Sequence, residues 1–209
     1  MDNTSNLPEN ATSTSRGPGP GRFHQIVLIV SAVLVAWLWM QAVHELGHYL
    51  GAWATGASVE RVILHPLAIS RTDVTGGRSP LAVVWAGPVI GVLLPVAAWL
   101  LMAACRGRWS WLARFFAGFC CLANGLYLGV GSFEGIGDAG DLLRLGSPIW
   151  SLWLFGSLTV VLGFSFWNGL GKHFGLGRPA AAVDARAAYA LVALLALTAA
   201  LEFALSRRL

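Results

Sequence analysis

The hydrophobic positions of this chain fall into five long runs separated by short polar stretches. The first, from about residue 25 to 54, is longer than the ~20 residues that cross a hydrocarbon layer, so it predicts a helix that tilts or projects beyond one surface. Four more follow at about 81–104, 111–130, 148–170 and 187–205, each of spanning length. Between the first two, Val59, Arg61, Ile63 and His65 alternate with Glu60, Val62 and Leu64, and Leu67 to Val74 is also strand-like, which predicts a short β-hairpin or re-entrant pair. Such a strand would offer a free edge to an extended peptide; an ordinary interfacial loop fits the same residues. The expected fold is an all-α polytopic membrane protein of about five transmembrane helices with that hairpin after the first. Residues 1–22 are rich in Asn, Thr, Ser, Pro and Gly and read as a disordered polar tail, leaving 23–209 as a single transmembrane domain.

Composition agrees with this pattern. The chain is 56% hydrophobic and 11% charged, with a mean hydropathy of +0.65. That is too apolar for an ordinary soluble domain and fits a multi-pass integral protein in contact with lipid, the cell membrane being the expected location. The formal net charge of +4 is scattered through loops with no basic run, so nucleic acid is not an expected partner. Cys105, Cys120 and Cys121 lie in or beside apolar runs, as small core residues do. Of the fourteen Lys and Arg, eight would collect on one side of the membrane and six on the other, a margin that leaves orientation open.

The candidate chemistry sits late in the first run, in Gln41-Ala42-Val43-His44-Glu45-Leu46-Gly47-His48. Residues four apart share a helix face, so His44 and His48 can reach one metal ion with Glu45 beside them. Imidazoles at this spacing suit zinc, and an adjacent carboxylate can take a proton from water at the metal. Three ionisable groups in an apolar helix are costly and mark a functional site. The bland reading is two hydrogen-bonded interior histidines with Glu45 merely neutralising a histidinium; the spacing favours metal ligation with Glu45 as general base.

A catalytic zinc takes three protein ligands. If the first span exits near the histidines, the second returns and the third exits on the same side, which brings the Gly-rich segment Gly131 to Leu143 next to the pair. Asp138, Asp141 and Glu134 are the candidates it supplies, with Asp138 preferred. Asn124, inside the third span, is either a helix-packing amide or a donor that polarises a scissile carbonyl. Gly87 and Gly91 in the second span, and Gly125 and Gly129 in the third, are spaced for close helix packing, and Pro88 and Pro95 predict a bend. His24, His65 and His173 read as surface residues, and Glu202 as a partner of Arg207 or Arg208 or a group reaching the interface.

A His-Glu-Leu-Gly-His sequence in a transmembrane helix, a strand-like stretch after it, Ala86-Gly87-Pro88 in the next span, and an Asn followed by an Asp-containing turn together resemble the site-2 protease family of intramembrane zinc metalloproteases. The resemblance covers about residues 25–145. It implies that His44, His48 and Asp138 bind zinc, that Glu45 activates water, and that the bond hydrolysed lies in or near a membrane helix of a protein substrate. Asn124 and Asp138 are fourteen positions apart with no proline between them, and Ala139 stands where that family usually has glycine. No peptide-binding or nucleotide-sensing domain is evident, so the expectation is a minimal member. A di-iron hydroxylase would need more histidines than the five present. The non-enzymatic alternative is a zinc-binding membrane scaffold related to such proteases but inactive.

Overall fold

The computed structural model of the chain describes residues 20–177 and 183–206. The polar tail falls mostly outside them. Residues 20–22, assigned to the tail by composition, instead form the first turn of a helix.

The described residues form six α-helices and one hairpin. They are α1 (Pro20–Thr55), β1 (Ala57–Ile63), β2 (Arg71–Gly76), α2 (Pro80–Ala104), α3 (Ser110–Glu134), α4 (Gly137–Arg144), α5 (Ile149–Trp167) and α6 (Ala185–Ser206), with a 3-10 turn at Gly171–Phe174. Five of the helices, α1, α2, α3, α5 and α6, are long and apolar enough to cross a membrane, which fits a multi-pass membrane protein in a lipid bilayer. Their outer faces carry large exposed apolar side chains, among them Leu101, Leu158, Val161, Phe164 and Leu197. In water such a surface would drive association; against acyl chains it costs nothing.

Helices α1, α2 and α3 pack as the central layer, with α5 against α3 and α6 against α1. Small residues set the closest approaches. A Cβ on Gly47 would lie 2.4 Å from the Ala86 carbonyl oxygen, and one on Gly156 would lie 2.8 Å from the Gly125 carbonyl oxygen. In lipid, where apolar side chains gain nothing by leaving their solvent, this intimate backbone contact is what binds helix to helix.

The hairpin pairs β1 with β2 antiparallel, Val59 facing Val74 and Arg61 facing Asp73, with a register irregularity at Glu60. The second strand begins at Arg71, so Leu67 to Ser70, expected to be strand-like, form the connection instead. The one helix that hydropathy did not reveal is α4. It is too short and polar to register as a span, and its apolar face is narrow: Ala139 and Leu142 are buried against Leu128 of α3 and Leu152 of α5. Gly135, at φ +63, ends α3 in the left-handed conformation and turns the chain into α4.

At the other end of the bundle, Asp184 caps α6. One carboxylate oxygen accepts from the N–H groups of Arg186 and Ala187, and the other accepts from Arg108 and from the Trp109 indole. Among the surface histidines, Leu67 N–H donates to His65, Tyr189 lies within hydrogen-bond distance of His24, and His173 stacks on Trp111. Glu202 is buried; Arg207 and Arg208, its expected partners, lie outside the described residues.

Candidate metal centre

His44 and His48 lie about 17 and 10 Å from the C-terminal end of α1, at 1.5 Å of rise per residue. Both are buried, as is Glu45 between them. Asp138, in the first turn of α4, faces them: its Oδ2 is 2.8 Å from His44 Nε2 and 3.2 Å from His48 Nε2, and the two Nε2 atoms are 3.0 Å apart. Among the described residues this is the one group of three or more such side chains placed to hold a metal ion.

The hydrogen bonds behind the histidines decide what their inner atoms can do. His48 Nδ1 lies 2.9 Å from the Val83 carbonyl oxygen, which can only accept, so the proton is on Nδ1. Asn124 gives its amide N–H to the Cys120 carbonyl oxygen, which turns its Oδ1 toward His44 Nδ1 at 2.7 Å, and that nitrogen also donates. In the neutral rings both Nε2 atoms therefore carry lone pairs. Two lone pairs and a carboxylate oxygen converging to about 3 Å repel one another unless a cation lies among them. Ligand atoms on one tetrahedral zinc at ~2.05 Å would be about 3.3 Å apart, so the donor set fits such an ion in both chemistry and spacing.

Glycines on α2 form the floor. A Cβ on Gly87 would lie 2.3 Å from His48 Nε2, and one on Gly91 would lie 2.9 Å from Asn124 Oδ1. The spacing read as a helix-packing surface thus also leaves room for an imidazole and for the amide that orients its neighbour. Tyr127 ties α4 to the site, its hydroxyl accepting from the Asp138 N–H at 3.1 Å while its ring meets His44 edge-on. Gly137, at φ +54, is needed there because a Cβ would meet the tyrosine hydroxyl.

Glu45 points the other way, toward the hairpin. Its two oxygens accept from Ser70 Oγ at 2.7 Å and Thr72 Oγ1 at 2.6 Å, and Gln41 Oε1 accepts from the Ser70 N–H at 2.9 Å. Three hydrogen bonds thereby fasten the hairpin to α1 across a cleft of about 1210 Å³ whose walls include all three candidate ligands and Glu45.

Of the three acidic candidates, only Asp138 reaches the histidines. Asp141 pairs with Arg144, and Glu134 lines the cleft without joining the group. Asn124 stands behind His44, with oxygen and nitrogen both engaged by protein atoms. That is the placement of a positioning residue, in place of the carbonyl-polarising donor kept open above. Ser70, Thr72 and Tyr127 were not singled out from sequence, although Tyr127 follows Asn124 by three residues on one helix face and Ser70 and Thr72 are two apart, the spacing of one face in extended chain.

No protein-family model, curated protein or solved structure matches the chain.

Proposed function

We propose that this protein is an intramembrane metalloprotease, with zinc the resident metal, hydrolysing peptide bonds in or near the transmembrane segments of other membrane proteins. The observation that carries the proposal is the convergence of His44, His48 and Asp138 on one point beside Glu45, inside a cleft among apolar helices. The similarity of the His-Glu-Leu-Gly-His helix and the later aspartate to the site-2 protease family points the same way.

His44, His48 and Asp138 would hold the ion. A zinc ion bound there supplies Lewis acidity, which makes water acidic near neutral pH and stabilises charge on a carbonyl oxygen. Asn124 and the Val83 carbonyl fix the imidazole orientations, so that no reorganisation of the ligands is needed during reaction. Glu45 takes the proton of the attacking water and delivers it to the departing amine. The tetrahedral centre forms as water oxygen bonds to the scissile carbon and collapses as the C–N bond breaks. For Glu45 to act as a base, Ser70 and Thr72 must release it, so the productive state has the hairpin lifted from α1. A substrate helix must also unwind locally to expose its backbone, which the polar cleft permits where lipid would not.

The competing reading is a metal-binding scaffold that holds helices without cutting them, and the observation in its favour is the double engagement of Glu45. Comparing membranes of cells that express the wild type or Glu45→Gln separates the two. Uncut single-span proteins that accumulate only with Glu45→Gln support hydrolysis; a Glu45→Gln protein that keeps its metal and cuts as fast as its parent refutes it.

A further inference from the structure

A second cavity, of about 450 Å³, opens at the opposite end of the bundle, between the α2–α3 connection and the end of α5. The metal centre packs on Val83 and Gly87 of α2, whereas the α2 wall of this cavity is Trp99, about 18–24 Å further along the helix axis. Arg108, Ser110, Arg114, Lys172 and His173 supply its polar lining, and Trp99 and Trp111 its aromatic walls, with no acidic side chain among them.

Two of the cations are held in place by the protein. The Arg114 guanidinium donates to the carbonyl oxygens of Ser165 and Asn168 at 3.2 and 3.1 Å, groups that fix its direction without cancelling its charge. Its Nε is buried with no hydrogen-bond partner in the protein. Arg108 is anchored by Asp184 at 3.0 Å. Lys172 is exposed and makes no ion pair among the described residues. His173 lies flat on Trp111, ring centres 4.9 Å apart, and burial together with Lys172 and Arg114 keeps its imidazole below its ordinary pKa. Uncompensated positive charge is therefore concentrated in one walled site, where P–O⁻ oxygens could take several charge-assisted hydrogen bonds at once.

The surroundings say where such oxygens come from. Among the described residues this end of the bundle carries Arg22, Arg106, Arg108, Arg114, Lys172 and Arg186 against a single acid, Asp184. Tryptophans at the ends of spanning helices sit at headgroup level, and basic pockets between such helices on one leaflet take anionic headgroups. We propose that this cavity is a phosphate-binding site that takes the headgroup of an anionic phospholipid from the leaflet opposite the metal centre. This site does not depend on the metal reading or on proteolysis.

The test uses the full chain in detergent, titrated with phosphatidylglycerol or phosphatidylcholine and read by native mass spectrometry. Wild type is expected to retain phosphatidylglycerol preferentially, and the preference is expected to weaken as salt is raised. Lys172→Gln should lower phosphatidylglycerol affinity about fivefold, and Lys172→Gln with Arg108→Gln about 25-fold, at ~1 kcal/mol per charge. Arg78→Gln, at the other end of the bundle, should leave it unchanged. Retention of the lipid in the presence of millimolar glycerol phosphate or inorganic phosphate assigns the site to a lipid; displacement assigns the same phosphate chemistry to a soluble ester. Equal retention of the two lipids by wild type at low salt overturns the proposal, whatever the variants do. So does an undiminished phosphatidylglycerol preference in the double variant.

Discussion

Replacing Asn124 by alanine should loosen the metal without touching a ligand. The side chain is 1% exposed and its Oδ1 accepts from His44 Nδ1 at 2.7 Å, so truncation leaves a buried N–H unsatisfied and the ring free to turn. An unsatisfied buried donor costs about 1–3 kcal/mol, which corresponds to roughly 5- to 150-fold. Loss of a partner that orients a metal ligand costs about 10- to 100-fold in affinity. The two ranges overlap, and the expected loss is between them, near 30-fold. The assay is competition for zinc against a chromophoric chelator, with purified full chain in detergent and the thermal midpoint recorded beside it. Asn124→Gln, longer by one methylene and blocked by Gly91 and α2, should not restore affinity. Unchanged affinity in a folded Asn124→Ala protein would refute the orienting role and remove the argument that His44 Nε2 faces inward as an acceptor.

The other expectations follow from neighbouring contacts. Glu45→Gln should bind metal like the wild type in the same competition assay yet lose about 10²- to 10⁴-fold in peptide hydrolysis, the range a general base contributes. Gly87→Ala places a methyl where His48 Nε2 stands, so it should weaken zinc binding more than Gly21→Ala, which meets nothing. Ser70→Ala with Thr72→Val removes both hydrogen bonds to Glu45; amide exchange in β2 should become faster and cleavage should rise, while zinc affinity stays within twofold. Asp184→Ala removes the α6 cap and should cost about 1 kcal/mol by denaturant titration. Despite partial burial, its hydrogen bonds to Arg108, the Ala187 N–H and Trp109 hold the Asp184 carboxyl below its ordinary value. A carboxyl with a depressed folded pKa stabilises fully above its unfolded value and loses that contribution as pH falls through the folded one, so the stability gap between parent and variant should begin to narrow below about pH 4 and go on narrowing at lower pH.

The five spans and the hairpin were legible because each rests on a local pattern: apolar runs of crossing length, and alternation between Val59 and Ile63. Helix α4 was not. Its eight residues are too few and too polar to register as a spanning run, and the narrow apolar face of Ala139 and Leu142 gains its meaning only once Leu128 and Leu152 lie opposite. Of the candidate site, His44, Glu45 and His48 could be read directly because i and i+4 share a helix face. The placement of Asp138 needed the count of crossings, and its separation from Asp141 and Glu134 needed the turn at Gly135 and Gly137. The engagement of Glu45 by Ser70 and Thr72 depends on how the hairpin folds back over α1, which no spacing within either segment encodes. Asn124 was visible as a buried amide, but its direction is set by the Cys120 carbonyl one turn earlier and by His44 on another helix.

The central claim is that two imidazoles of α1 and the carboxylate of α4 grip one divalent metal. X-ray absorption at the zinc edge on purified Glu45→Gln protein, loaded with one equivalent of zinc, addresses it directly. The account expects a nitrogen and oxygen shell near 2.0–2.1 Å with the outer-shell scattering of two imidazoles, reduced to one imidazole in His48→Ala. Sulfur scattering near 2.3 Å, or a spectrum that His48→Ala leaves unaltered, would contradict it.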